Sequence, residues 1–322
     1  MKMLQLGDSD VSVPPLAIGT MFWGTRVPRS RAHDLLDYAL QAGAWFIDTA
    51  NNYAFWESGG LGGESETCLG EWIAARGPSA RDRLVLATKV GARPVEVGAG
   101  TGNALGLSRQ AVLDQVTDSL RRLRTTHVDV LYAHIDDTQT PLAETIAVFQ
   151  EVVDRGWART VAASNLTADR LNEAMTTTEG GAQYAALQNR FTFLPPASGT
   201  DFGRQVLLDD AVQAACSEHH VTMVAYSTLL EGAYTRPERP FPPAYRRPES
   251  DQALEALTSV AEDLGLDRGQ AVLAWLAHRA TPIVPVVGVS RREQLDSAIE
   301  AIGTPVPPAA IAALDQARAA AA

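Results

Sequence analysis

Short apolar runs alternate with longer amphipathic segments along most of the chain. Eight runs rich in Val, Ile, Leu and Ala have the length of buried strands, at 16–18, 45–47, 84–88, 128–132, 160–163, 184–187, 222–225 and 283–286. Apolar residues recur at helical spacing at 31–41, 64–74, 109–123, 142–153, 168–175, 204–219, 251–264, 269–278 and 291–302. The pattern predicts eight strand–helix units.

The eight runs show little polar alternation, which is typical of strands that are covered on both faces in a parallel sheet wrapped by helices. The fold class is therefore α/β, and a single (β/α)8 TIM barrel is the simplest closure. No linker rich in Ser, Gly or Pro divides the chain, so we expect one domain over 1–322. Residues 4–13, with Gly7 and Asp8 between short alternating runs, predict an N-terminal β-hairpin plug.

An open doubly wound sheet is the alternative to a barrel. Such sheets usually carry Gly-x-Gly-x-x-Gly after the first strand. The glycine-rich segment here, 98–106, has a different spacing and follows the third predicted strand, so it predicts a loop.

Every predicted strand from the second onward runs into polar side chains, and in a barrel the strand ends share one rim, where active sites lie. These side chains are Asp48, Tyr53, Lys89, His134, Ser164, Asn165, Gln188, Asn189, Tyr226, Ser227, Ser290, Arg291 and Arg292. Taken alone, Asp48 is as typical of a turn cap and Tyr53 of a core phenol. Their convergence on one rim indicates a functional site.

Composition narrows the classes of partner. A net charge of −11 disfavours nucleic acid and anionic membranes as bulk partners. The chain has no apolar stretch long enough to span a bilayer and no signal-peptide pattern at its start, so we expect a cytoplasmic protein. Cys68 and Cys216 are far apart, which predicts two buried thiols and no disulfide framework.

Lysine is rare in this chain. Lys2 and Lys89 are the only lysines, and arginine supplies every other cationic side chain. Either the choice at Lys89 is chance, or the position needs a compact ammonium that can titrate, which a guanidinium cannot replace.

Three motifs, Asp48-Thr-Ala-Asn-Asn-Tyr53, Leu-Ala-Thr-Lys89 and Ala-His134-Ile-Asp-Asp137, together resemble the signature of the aldo-keto reductase family, and the resemblance covers nearly the whole chain. It implies reversible reduction of a small aldehyde or ketone by NADPH, with NADH as a possible substitute and without metal. The implied catalytic residues are Asp48, Tyr53, Lys89 and His134. The oligomeric state stays open.

The chemistry of these residue types agrees with the resemblance. A carbonyl that receives hydride at carbon needs a proton at oxygen, which the phenol of Tyr53 can donate. A charged Lys89, held by Asp48, is expected to lower the pKa of that phenol. His134 would donate a hydrogen bond that orients the carbonyl.

The resemblance also implies the cofactor contacts. Ser164, Asn165 and Gln188 correspond to the nicotinamide carboxamide site, and Tyr226 to the aromatic residue stacked on the ring. The remaining contacts are Gly19, Thr20, Met21, Asp48, Ser227, Thr228, Leu229, Gly288, Ser290, Arg291, Arg292 and Gln294. Ser290 with Arg291 or Arg292, beside a helix start, suits a 2′-phosphate.

The sequence departs from the family at Thr228, usually proline, at Phe191-Thr192, usually Tyr-Asn, and at Ser297-Ala298, usually a polar pair.

Trp23, Phe55 and Trp56 follow the first two predicted strands and, with Tyr53 and His134, form the expected substrate pocket; core packing is the alternative for the three aromatic residues. Residues 237–248, rich in Pro and Arg, predict a loop over the cofactor or substrate, or a surface linker.

Two other functions deserve comparison. A metal-dependent hydrolase would use His134 with nearby carboxylates, but the chain has no His-x-His pair and no Cys/His cluster. A non-catalytic NADPH-binding subunit that senses redox state would keep the same residues, so only turnover separates it from an enzyme.

Overall fold

Eight parallel strands close into a barrel in a computed structural model that describes residues 2–57, 62–96, 103–177 and 181–322. The hairpin strands are β1 (Leu4–Gln5) and β2 (Ser12–Val13); the barrel strands are β3 (Ala17–Gly19), β4 (Phe46–Asp48), β5 (Val85–Val90), β6 (Val128–Ala133), β7 (Ala158–Ser164), β8 (Tyr184–Arg190), β9 (Thr222–Tyr226) and β10 (Ile283–Gly288). β3 to β10 pair in chain order, and β10 pairs with β3 to complete the ring. The predicted (β/α)8 barrel is confirmed, and each predicted strand overlaps an observed one. Of the glycine-rich segment predicted to be a loop, residues 98–102 lie outside the described ranges.

The helices surround the barrel. They are α1 (Arg29–Ala42), α2 (Glu64–Arg76), α3 (Pro78–Arg81), α4 (Arg109–Leu123), α5 (Leu142–Asp154), α6 (Ala168–Thr176), α7 (Asp210–Glu218), α8 (Pro248–Leu264), α9 (Arg268–His278), α10 (Arg292–Gly303) and α11 (Pro308–Ala320). Local sequence explains several ends: Gly43 adopts a left-handed conformation that ends α1, and Asp267 with Gln270 forms the capping box that starts α9.

The predicted helix at 204–219 is wrong at its start, because α7 begins only at Asp210. Residues 206–208 are extended and pair with the last residue of β8: Arg190 N–H donates to the Val206 carbonyl, and Leu208 N–H donates to the Arg190 carbonyl, both at 2.9 Å. The Asp209 side chain then accepts from Val212 N–H and caps the helix.

Two buried apolar clusters fill the molecule. One lies inside the barrel and includes the inward-facing side chains Phe46, Val85, Val130, Val224 and Val284. The larger one lies between the barrel and the helices, and it includes both cysteines and the indole of Trp275. This is the layering expected when side chains alternate between the two faces of a closed parallel sheet.

The N-terminal hairpin closes the amino-terminal end of the barrel, as predicted. Leu6 and Val13 are buried in the interior cluster. Gly7 has φ +51°, and a Cβ there would lie 2.8 Å from the Ala185 carbonyl oxygen, so only glycine fits this contact. Its N–H donates to the hydroxyl of Thr222, the first residue of β9.

The last helix, α11, was not predicted. Its Arg318 donates to the carbonyls of Thr192 and Phe193, at 2.8 and 2.5 Å, and its guanidinium stacks on the Phe191 ring. Burial lowers the pKa of Arg318 to about 10. These contacts fix the segment that follows β8.

Within the described ranges, no single helix has both the length and the apolar content to cross a bilayer. The pair α10 and α11, bent by 110°, meets those criteria only when the two helices are taken together.

Both cysteines are free and buried, as predicted, and burial raises the pKa of each thiol to about 12.

Because the thiolate is the reactive form, we expect Cys68 and Cys216 to resist a thiol reagent such as 5,5′-dithiobis(2-nitrobenzoate) at pH 8 until the protein is unfolded. The absorbance of the released thionitrobenzoate measures this. Cys68→Ser and Cys216→Ser variants assign any reaction, and fast labelling of either native thiol would contradict the expectation.

Candidate active site

Lys89 lies near the end of β5 with its side chain fully buried inside the barrel. Its ammonium group donates three hydrogen bonds: to Asp48 Oδ1 at 2.5 Å, to the Thr49 carbonyl at 2.9 Å and to the Tyr53 hydroxyl at 2.7 Å. Every N–H of the ammonium therefore has a partner, which is the condition for burying such a group.

The neighbouring strands position the other three members of the predicted catalytic set. Asp48 ends β4, and a tight turn after it returns the Tyr53 hydroxyl to within 3.1 Å of the same carboxylate. His134 follows β6, and its ring meets the Tyr53 ring edge to face, with centroids 6.0 Å apart. The structure thus brings together all four residues that the sequence placed in the catalytic set.

Other polar side chains form hydrogen bonds with the Asp48 carbonyl and with its second carboxylate oxygen. Gln188 donates to Asp48 Oδ2 at 2.8 Å. Thr20, which follows β3, hydrogen-bonds to the Asp48 carbonyl and to the Ser65 hydroxyl. The Ser65 hydroxyl also hydrogen-bonds to the Thr49 hydroxyl. Ser65, on α2, was not among the predicted residues, because a serine at a helix start is usually a cap.

The ends of β7, β8 and β9 form a second hydrogen-bonded group. The Ser164 hydroxyl donates to the Gln188 carbonyl at 2.7 Å. Asn165 has a positive φ of 63°, donates to the His134 carbonyl and accepts from the Tyr226 hydroxyl at 2.7 Å. Asn189 holds Asn165 in place by accepting its N–H. The predicted nicotinamide contacts are therefore neighbours.

The segment after β9 is tightly turned. Ser227 has φ +58°, and the buried Thr228, which replaces the family's usual proline, accepts a hydrogen bond from Thr192 at its carbonyl. Arg190 contacts the Ser227 hydroxyl at 3.2 Å and the Tyr245 hydroxyl at 2.9 Å. Tyr245 is buried, so this part of segment 237–248 packs against the barrel rim and is not a free linker.

The segment after β10 is organised by Gln294. Its side-chain oxygen accepts from the N–H groups of Ser290 and Arg291 and from the Ser290 hydroxyl. Arg292 stacks on the Tyr38 ring, 3.5 Å from its centroid, whereas Arg291 is exposed and pairs with no carboxylate in the described part of the chain.

Leu229 and Met21 lie on the same side of the barrel, half-buried and 37% exposed respectively. Gly19 and Gly288 face each other across the β3–β10 pairing.

The three predicted substrate-wall aromatic residues separate into two groups. Trp23 is buried in the main core, where its indole donates to the Val289 carbonyl at 2.9 Å, so core packing describes it better than an open wall. Phe55 and Trp56 pack edge to face beside Tyr53, and Trp56 is 47% exposed. The exposed ring of Trp56 is therefore open to contact with a ligand.

Residues 15–319 match the sequence profile of the aldo/keto reductase family. The chain belongs to this family. Aldo/keto reductases use NAD(P)H, and membership makes this protein an NAD(P)H-dependent oxidoreductase whose reaction class is carbonyl reduction.

Curated relatives of this aldo/keto reductase carry different functional names. It is 31% identical to norsolorinic acid reductase of Emericella nidulans over 91% of this chain and 75% of that protein. It is also 31% identical to 6-dehydroglucose reductase of Novosphingobium aromaticivorans, over 92% and 89%. A probable voltage-gated potassium channel subunit beta of Arabidopsis thaliana is 26% identical over 94% and 91%.

Burial and nearby charges shift the pKa values of Tyr53 and Lys89 in this aldo/keto reductase. Burial, then the charge of Asp48 and its hydrogen bond, raise the pKa of the Tyr53 phenol well above its ordinary value. The net shift is therefore upward, opposite to the lowered pKa that the sequence led us to expect for this phenol. Burial also lowers the pKa of Lys89, against the opposing effect of Asp48. The phenol consequently stays protonated at neutral pH.

His134 is held neutral. Burial, reinforced by the positive charge of Lys89, lowers the pKa of its imidazole well below 6.5. Its Nδ1 is buried and has no hydrogen-bond partner among the described residues. A neutral ring can donate from one nitrogen only, which suits a group that orients a carbonyl oxygen.

We expect the His134 ring to remain neutral between pH 8 and pH 6, because burial and the charge of Lys89 hold its pKa well below the ordinary value of 6.5. Chemical shifts of ¹⁵N-labelled histidine rings measure this directly, and a His134→Gln variant assigns the signal. A histidine in an unstructured peptide, with a pKa of about 6.5, serves as the reference titration. A midpoint for His134 above pH 6 would show that the imidazole is not held as described.

Proposed function

We propose that this protein reduces an aldehyde or ketone to the alcohol with NADPH, and that Tyr53 donates the proton. The observation that carries the proposal is the position of the Tyr53 hydroxyl, 2.7 Å from the Lys89 ammonium and edge to face with His134. Bound NADPH would supply the hydride. Tyr53 and His134 would meet the carbonyl oxygen.

The raised pKa of Tyr53 fits this role. A phenol that stays protonated at neutral pH is ready to donate as negative charge develops on the carbonyl oxygen. The phenolate left behind would lie against the Lys89 ammonium, whose charge stabilises it in a site shielded from water. Asp48 keeps that ammonium in place.

The side chains at the rim fit a nicotinamide cofactor chemically. Asn165 and Gln188 offer amide groups beside Ser164 for a carboxamide, and Tyr226 offers a ring face. Arg291, at the start of α10, offers an exposed cation for a 2′-phosphate, which favours NADPH over NADH. Arg236, which lies over Gly232 in the segment after β9, was missed from the sequence and would meet a pyrophosphate there.

We further propose an apolar, ring-containing carbonyl as the substrate. Phe55 and Trp56 form an aromatic surface beside the proposed proton donor, and such surfaces stack on flat rings. The name of 6-dehydroglucose reductase points instead to a sugar substrate. Assays with an aromatic aldehyde and with an aldose of similar size decide between them.

A second candidate is a non-catalytic NADPH-binding subunit that senses redox state. The observation that favours it is the similarity to the Arabidopsis channel subunit, which is nearly full-length. NADPH binding without oxidation over a broad panel of aldehydes and ketones would support the sensor and overturn the reductase.

Tyr53→Phe removes the proposed proton donor and keeps the ring. We expect kcat for aldehyde reduction to fall by about 100-fold or more, since positioned acid catalysis contributes 10²- to 10⁴-fold. The dissociation constant of NADPH, measured by fluorescence, should change less than about twofold. Tyr184→Phe, the same change at the start of β8, is the matched control and should leave kcat unaltered. Near-parental turnover of Tyr53→Phe would show that another group donates.

Arg291→Ala tests the preference for NADPH. A charge-assisted bond to a phosphate contributes about 1.5 to 3 kcal/mol, so we expect KM for NADPH to rise about 10-fold or more while KM for NADH stays constant. Arg292→Ala, whose guanidinium is already stacked on Tyr38, should shift either KM by less than about threefold. Equal effects of the two substitutions would contradict the assignment to Arg291.

A further inference from the structure

Gln115 lies on α4, outside the set of predicted site residues, and the residue is only 5% exposed. Its amide makes four hydrogen bonds. The oxygen accepts from Asn51 Nδ2 at 3.0 Å and from the Gly91 N–H at 2.9 Å. The nitrogen donates to the carbonyls of Gly106 and Ala111 at 3.1 and 3.0 Å.

The orientation of this amide is fixed by main-chain groups. The Gly91 N–H can only donate, and the Gly106 and Ala111 carbonyls can only accept, so the amide oxygen must face Gly91. All four hydrogen-bonding positions of Gln115 are then used. No other arrangement of this side chain satisfies the same groups.

The partners of Gln115 belong to the segments that carry the site. Asn51 lies two residues before Tyr53, and its N–H donates to the Lys89 carbonyl at 3.1 Å. Gly91 lies two residues after Lys89. The oxygen of Gln115 therefore joins the backbone that presents the phenol to the backbone that presents the ammonium.

The nitrogen of Gln115 reaches a third segment. Gly106 N–H donates to the Gly91 carbonyl at 3.1 Å, and Leu107 N–H donates to Asp137 at 2.7 Å. Asp137 lies three residues after His134 and also accepts from Thr140. The chain of contacts thus extends from Gln115 to the segment that carries the imidazole.

We propose that Gln115 is a positioning residue for carbonyl reduction. Its amide sets the distance between the Tyr53 and Lys89 segments and anchors residues 103–107 through the Gly106 carbonyl. This inference rests on the proposed function, because its kinetic effect is read through Tyr53. A shift of about 1 Å in a reacting group can lower turnover 10²-fold. Losing the hydrogen bonds of Gln115 would therefore lower turnover without any change in the reacting groups themselves.

Gln115→Met keeps the volume and removes every hydrogen bond. We expect kcat to fall about 10-fold or more, while the dissociation constant of NADPH, which is bound by other strands, changes less than about threefold. Gln110→Met, the same substitution at an exposed position of α4 that contacts Asp114, is the matched control and should retain parental kcat. A parental kcat for Gln115→Met, with or without a lower melting temperature, would reduce Gln115 to a structural role and overturn the proposal.

Gln115→Glu separates the two halves of the amide. In its ionised form the introduced carboxylate still accepts from Asn51 and Gly91 but cannot donate to the Gly106 and Ala111 carbonyls, so kinetics are measured at a pH where infrared spectra show it ionised. We expect it to recover at least threefold in kcat over Gln115→Met, with a raised KM for the carbonyl because residues 103–107 lose their anchor. A kcat no better than that of Gln115→Met would contradict the role of the accepting oxygen.

Amide hydrogen exchange tests the contact without any turnover. In Gln115→Met, the Gly91 amide should exchange at least 10-fold faster than in the parent and in Gln110→Met. Unchanged exchange overturns the proposal even if the enzyme is active. If the parent reduces no carbonyl while Gly91 exchange accelerates, the proposed function fails but the Gln115 contact stands.

Discussion

The ammonium of Lys89 is a full charge inside an apolar barrel, and the arrangement of the site depends on keeping it there. Moving such a group out of water is costly unless each N–H finds an acceptor. Asp48, Tyr53 and the Thr49 carbonyl supply the three acceptors, so the charge itself constrains where the phenol and the carboxylate lie. An apolar pair of the same volume would stabilise a barrel equally well. We therefore attribute this pair to chemistry and not to stability.

Much of this arrangement follows from the sequence, because strand ends in a parallel barrel meet on one rim. Apolar runs ending in Asp48 and Lys89 were enough to predict that these side chains meet, and the structure brings them together. The start of α7 could not be predicted in the same way. Residues 206–208 keep helical spacing, but they pair with the backbone of Arg190, which is distant in sequence.

Other features could not be predicted, because they depend on the relative strength of interactions that the spacing of residues along the sequence does not reveal. The pKa of Tyr53 is raised by burial and by Asp48, and the sequence shows that these groups are present but not how strongly each one acts. Trp23 occupies a position that suits a pocket wall, yet its indole finds the Val289 carbonyl in the core. Gln115 gave no signal at all, since a glutamine on an amphipathic helix usually faces solvent.

The hairpin formed by β1 and β2 covers the end of the barrel opposite to the side chains of the candidate active site, and the interior layer around Phe46 and Val130 separates the two ends. The two ends can therefore change independently during evolution or in the laboratory. Replacements that improve packing near Leu6 or Val13 would raise heat resistance without changing the shape of the candidate active site. For an engineer seeking a durable biocatalyst, the hairpin is the place to begin.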